Sequence, residues 1–140
     1  MDDFAPRHDL NHRRRAETIR VMVVDDQKAF GELASEILGQ GKEFEVVAIA
    51  GSGEEALILA DELNPDLVLM DVQLGGGMSG FEATERTLKR HPHTKIVIIS
   101  MYHEEEYSRL ATQAGALGFI SKQDFDLETL EKTLGLSRTT

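Results

Sequence analysis

A chain of 140 residues with 41% hydrophobic and 29% charged content has the size and composition of one soluble domain with a real core. It has no cysteine, which excludes a disulfide framework, an Fe–S cluster and a thiol nucleophile. The net charge of −10 is uneven: residues 1–20 hold five Arg against four acids, so the remainder carries −11 and repels phosphate backbones, which argues against direct nucleic-acid binding.

The first stretch, Met1–Leu10, carries acids and lacks an apolar core, so it does not read as a signal peptide. Residues 1–18 are expected to form a flexible extension. Arg13-Arg14-Arg15 within it reads most simply as solvated, with contact to an acidic surface as the alternative. No apolar run approaches the roughly 20 residues that span a bilayer. A cytoplasmic location without membrane contact is the expectation.

From Ile19 two kinds of segment alternate. Apolar, β-branched runs at Ile19–Val24, Phe44–Ala50, Leu67–Met70, Ile96–Ile99 and Gly118–Ile120 predict strands. Amphipathic stretches at about Ala29–Gln40, Glu54–Leu63, Phe81–Arg90, Glu104–Ala114 and Leu127–Leu134 predict helices. Gly41, Gly115 and Gly135 follow helical patterns, and Pro65 and Pro92 stand just beyond two of them. The domain therefore covers 19–134, and 135–140 is a tail or the start of a linker. Five βα units imply an α/β fold, a doubly wound parallel sheet with helices on both faces. The runs at 21–24, 67–70 and 96–99 are apolar at every position, as in strands buried on both sides. Glu45 and the shortness of 118–120 mark the second and fifth strands as edges. That suits a flavodoxin-like (βα)5 sheet, order 2-1-3-4-5.

The chemistry gathers where the strands end. Asp25 and Asp26 follow the first strand, Asp71 the third, Ser100 ends the fourth and Lys122 lies just past the fifth. Open parallel sheets bind ligands outside the carboxyl ends of their strands, near the switch point. Three carboxylates, a hydroxyl and an ammonium are therefore expected in one crevice. Clustered carboxylates repel and raise at least one pKa unless a cation joins them. A hard oxygen set with room for water suits Mg²⁺ better than Ca²⁺, and the absence of Cys and His from these loops disfavours Zn²⁺. Mg²⁺, Lys and a hydroxyl together can hold a phosphoryl group, and a neighbouring carboxylate can accept it as an aspartyl phosphate. Each Asp alone reads as a turn or cap residue; their joint placement carries the reading.

Val-Val-Asp25-Asp26, Leu-Val-Leu-Met-Asp71, Ile-Val-Ile-Ile-Ser100-Met and Gly-Phe119-Ile-Ser-Lys122 together resemble the receiver domain of two-component response regulators, over about residues 19–134. The resemblance implies that Asp71 is the phosphoacceptor. It implies that Asp25, Asp26, Asp71 and the Gln73 backbone carbonyl hold Mg²⁺. Lys122 would pair with phosphoryl oxygens, and Ser100 and Phe119 would turn inward as the switch pair. It further implies a histidine kinase or histidine phosphotransfer protein as donor. Self-catalysed phosphorylation and dephosphorylation would follow, within a signalling switch and not a metabolic enzyme. Output would leave through the 104–134 face to an output domain or protein partner, and a homodimer on phosphorylation is allowed. Ser100-Met101-Tyr102-His103-Glu104 and Gly115–Lys122 look most like receivers fused to helix-turn-helix outputs, so the chain reads as a stand-alone receiver or a fragment of a longer regulator. Two features depart from the common pattern. Gly75 stands where many receivers carry proline, in a Leu74–Gly80 loop that looks one residue longer. Phe119 lacks a hydroxyl, so a switch there works by packing alone.

Other readings compete. Gly51-Ser52-Gly53-Glu54-Glu55-Ala56 matches a dinucleotide-binding pattern, but Glu54 and Glu55 would put negative charge where a pyrophosphate should sit. Gly77-Met78-Ser79-Gly80-Phe81 lacks the second glycine of a nucleophile elbow. His91-Pro92-His93 reads as a turn before a strand. A Mg²⁺-dependent phosphatase with an Asp nucleophile would carry Asp-x-Asp after its first strand, whereas Asp25-Asp26 are adjacent. A pseudo-receiver scaffold would lack some of Asp25, Asp26, Asp71, Ser100 and Lys122, and all five are present.

Overall fold

The computed structural model describes residues 18–102 and 105–136. The N-terminal extension and its arginines, His103, Glu104 and residues 137–140 lie outside the described residues. Five βα units follow in order: β1 (Ile19–Val24), α1 (Lys28–Gly39), β2 (Phe44–Ala50), α2 (Gly53–Leu63), β3 (Leu67–Asp71), α3 (Gly80–Arg90), β4 (Lys95–Ser100), α4 (Glu105–Ala114), β5 (Gly118–Ser121) and α5 (Leu127–Leu134). All pairings are parallel and the sheet order is β2-β1-β3-β4-β5, as the strand compositions predict.

The sheet separates two apolar layers. On one face Val21, Val23, Leu67, Leu69, Val97 and Ile99 pack under α1 and α5 through Phe30, Ala34, Leu38, Leu130 and Leu134. On the other, Met22, Val24, Val68, Met70, Ile96 and Ile98 meet α2, α3 and α4 through Ala56, Ala60, Ala83 and Ala111. Alternate strand residues feed opposite faces, so central strands covered on both sides must be apolar throughout. The small alanines let these helices sit close to the sheet.

Three strands, β3, β4 and β5, run one residue further at their carboxyl ends than their apolar pattern suggests. Asp71 pairs with Ile99 and Ser100 with Ser121, so all three polar residues still belong to the ladder. A polar residue at a strand's end looks like a turn in sequence, yet its backbone remains bonded to its neighbours. Asp71 and Ser100 are thereby held on the sheet and not on a loop.

Side chains fix the starts of α2, α3 and α5. Ser52, Ser79 and Asp126 accept backbone N–H bonds from Glu55, Glu82 and Thr129. Glu55 also reaches back to accept the N–H of Gly51, the residue before the cap, at 2.7 Å. The glycine pattern at 51–56 is therefore satisfied within α2 itself. At Gly80 the α3 terminus abuts β3: its N–H donates to the Val72 carbonyl at 2.8 Å, and a Cβ there would lie 1.9 Å from the Asp71 carbonyl oxygen. Only glycine permits this approach.

Candidate metal and phosphoryl site

At the carboxyl ends of the strands, Asp26, Gln27, Asp71, Gln73, Gly75, Ser100, Met101, Tyr102 and Lys122 line a crevice of about 180 Å³. It opens beside β1 and β3, the switch point of this strand order. Asp25, Asp26 and Asp71 each bring one carboxylate oxygen to within 4.8 Å of the others. Asp25 and Asp71 are buried and Asp26 is exposed. A hard divalent cation fits this donor set. Three oxygens converge, and the exposed side can be completed by water. Among the described residues no other His, Cys, Asp or Glu group of three converges in this way.

Lys122 opens the short 3₁₀ turn directly after β5 and reaches back into the same place. Its Nζ lies 2.6 Å from Asp25 Oδ2 and 3.7 Å from Asp71 Oδ2, with only 10% of the side chain exposed. The same ammonium stands 4.6 Å from the centre of the Phe30 ring. The ring face and two carboxylates stabilise a cation that burial would otherwise disfavour. Burial pushes the Asp71 carboxyl up to about 6, with the Asp25 and Asp26 charges adding to it, against the lowering by Lys122 and the Val72 N–H. Carboxyls shifted in this way by burial and like charge are characteristic of functional clefts.

Ser100 is buried at the edge of the crevice, and its hydroxyl oxygen accepts the Tyr102 N–H at 3.1 Å. Its own proton remains available for donation. Gln73 is exposed on the same rim. Phe119 lies outside the crevice lining and packs, half-buried, against the α2–α4 layer. There sequence reading missed two partners. Tyr107 stands edge-on to Phe119 at 6.5 Å and to Phe81 at 5.7 Å, a row of three rings across α3, α4 and β5. Aromatic residues at helical spacing look like ordinary core in sequence, so only the assembled faces reveal the row.

A larger cleft, about 360 Å³, opens at the opposite end of the sheet among Asn64, Asp66, Arg90, His91 and His93. Asp61 pairs there with Arg90, and His91 Nε2 lies 2.8 Å from its other oxygen. These contacts tie the ends of α2 and α3 together and give the His91-Pro92-His93 segment its structural place.

The comparisons agree with the geometry. Residues 21–134 match the family model described as the response regulator receiver domain. The chain is 41% identical over 104 residues to the response regulator GacA of Pseudomonas viridiflava, covering 74% of this chain and 48% of that protein. It is 33% identical over 114 residues to the transcriptional regulatory protein DegU of Brevibacillus brevis, covering 81% and 48%. The chain thus spans about half the length of these curated relatives. Among solved structures, the receiver domain of the response regulator NarL from Mycobacterium tuberculosis superposes with a TM-score of 0.76 at 30% identity, over 85% of this chain and 95% of that one. A LuxR-family two-component response regulator from Aurantimonas sp. SI85-9A1 gives 0.77 at 29% identity, over 88% and 90%. The chain belongs to the receiver-domain family of two-component response regulators.

Proposed function

We propose that this receiver is a Mg²⁺-dependent phosphoryl switch whose acceptor is Asp71. The observation that carries the reading is the convergence of Asp25, Asp26 and Asp71 with Lys122 ion-paired to two of them. Asp25, Asp26, Asp71 and the Gln73 carbonyl would hold the cation, which when bound neutralises phosphoryl charge and orients the group for in-line transfer.

An Asp71 carboxylate oxygen attacks the phosphorus of a phosphohistidine donor. The new O–P bond forms as the N–P bond breaks, and the electron pair leaves with the imidazole nitrogen. Lys122 already bridges Asp25 and Asp71, so a short shift of its Nζ pairs it with a phosphoryl oxygen. Ser100 donates its proton to another oxygen. Reversal of the signal is attack by water on the same phosphorus, with the Asp71 carboxylate as leaving group. A metabolic substrate is not required for any step.

The donor would be a histidine kinase or histidine phosphotransfer protein, with the chain acting in the cytoplasm as a unit over 19–134. Output would leave through the 104–134 face, within a longer regulator or toward a protein partner, with homodimerisation on phosphorylation as one route. Support comes from the relatives, one a transcriptional regulatory protein and the other a response regulator. Among the described residues no helix is long and apolar enough to cross a membrane.

Incubation with a small acyl phosphate and Mg²⁺ is expected to add one phosphoryl group by mass spectrometry. Asp71→Ala abolishes the addition, and Lys122→Ala leaves the fold intact but slows phosphoryl turnover. Labelling of Asp71→Ala at the native rate would remove Asp71 as the acceptor.

A further inference from the structure

We infer that Gly75 is a positioning residue for the cation site: its missing side chain is the space into which the Asp26 carboxylate leans. The inference rests on the Mg²⁺ reading above and extends it to a residue outside the ligand set. A Cβ built on Gly75 would lie 2.7 Å from Asp26 Oδ2 and 3.8 Å from its Cγ. Both residues line the same crevice. Asp26 is the exposed member of the three carboxylates, so burial does not hold it as it holds Asp25 and Asp71. The β3–α3 loop is the wall that limits where its carboxylate can go.

Gly75, Gly76 and Gly77 all have left-handed backbone, with φ of +50°, +56° and +80°. Their surroundings differ. A Cβ on Gly76 would meet nothing within 4 Å, whereas one on Gly77 would lie 2.7 Å from Glu54 Oε2. Gly75 and Gly76 therefore make a matched pair. Alanine at either position takes on nearly the same backbone strain, but only at 75 does the new methyl displace a carboxylate of the site. Because Asp26 Oδ2 is the tip of a solvent-facing side chain, the fold can absorb the displacement while the cation site cannot. Sequence reading had pointed to this position only as a departure from a common proline. At φ +50° the position excludes proline, whose φ is fixed near −65°, and along this path of the loop the missing Cβ leaves room for Asp26.

The test is a MgCl₂ titration followed by amide NMR on the whole chain, native and variant. Gly75→Ala is expected to weaken Mg²⁺ roughly ten-fold, as loss of an outer-shell support does, while Gly76→Ala stays within about two-fold of native. In an Asp26→Ala background, Gly75→Ala should add no further loss, since the group it displaces is gone. Asparagine tolerates left-handed backbone, so Gly75→Asn against Gly76→Asn repeats the comparison should either alanine variant fold poorly. Equal weakening by the 75 and 76 variants, or an undiminished Gly75→Ala effect without Asp26, overturns the inference and leaves the cation site standing. A native chain with no saturable Mg²⁺ response overturns both.

Discussion

The Asp71 carboxyl, pushed up to about 6 by burial and by the neighbouring Asp25 charge, holds its proton more tightly in the folded chain than in the unfolded one. The advantage is complete below the unfolded value and is lost as pH rises from about 4 through 6. In metal-free buffer the contribution of Asp71 to stability should therefore fall across that window, and saturating Mg²⁺ should flatten the fall. Asp71→Asn removes the ionisation altogether. It is expected to stabilise the metal-free fold at pH 7 by on the order of 1 kcal/mol after solvent screening, read by denaturant unfolding with the native chain alongside. Gly80 governs the same residue from behind. Gly80→Ala would push a methyl against the Asp71 carbonyl oxygen, and overpacking of backbone on backbone is expected to cost about 3 kcal/mol. The same unfolding assay checks it, and acyl-phosphate labelling of the surviving folded protein should slow.

At the scale of elements, the short last helix is held at both ends by caps. The helix α5 has eight residues and is flanked by the N-cap Asp126 and the left-handed C-cap Gly135. The Asp126 carboxylate accepts the Thr129 N–H at 2.8 Å, and this bond holds its carboxyl below the ordinary value. A lowered carboxyl stabilises the fold above its unfolded pKa and ceases to do so as pH drops through the folded one. Asp126→Ala should cost about 1 kcal/mol at pH 7, and the gap to the native chain should close in acid. A thermal melt series across pH measures both. On α3, Thr84 and Thr87 are fully buried with hydroxyl oxygens that lack a hydrogen-bond partner. Thr84→Val keeps the shape and removes the desolvated hydroxyl, so a small gain in melting temperature is expected.

Across the whole molecule, the proposed signal must travel from the crevice to the α4–β5–α5 side. Ser100 lies in the crevice wall, and Phe81, Tyr107 and Phe119 form a row of rings across α3, α4 and β5. Such rings can repack between two arrangements, and a coupling of roughly 1–3 kcal/mol biases one over the other. Beryllofluoride with Mg²⁺ should shift amides at Asp71, Ser100, Tyr107 and Phe119 and along α4, with α2 nearly silent. Changes confined to residues that touch the ligand, with 105–120 unmoved, would leave a phosphate site without a switch.

Sequence by itself determined the alternation of strands and helices, the strand order in the sheet and the convergence of Asp25, Asp26, Asp71, Ser100 and Lys122 at the strand ends, whereas Gln27, Met101 and Tyr102 join the crevice lining only in the fold. Period and apolar continuity are local properties: fully apolar runs had to be central, and polar residues ending them had to meet at one rim. The residues at 25, 26, 71, 100 and 122 were legible for that reason. Tertiary structure alone decided what depends on distance between elements. Lys122 sits closer to Asp25 than to Asp71, and Asp71 owes its raised pKa to burial first and neighbouring charge second. Gly80 looked like one more loop glycine until α3 was seen to press against the β3 carbonyl. Tyr107 was an ordinary helical aromatic until it met Phe119 of β5 edge-on. Gly75 and Gly76 are indistinguishable as letters, yet only one of them faces a carboxylate, because that difference lies in the packing around the loop and not within it.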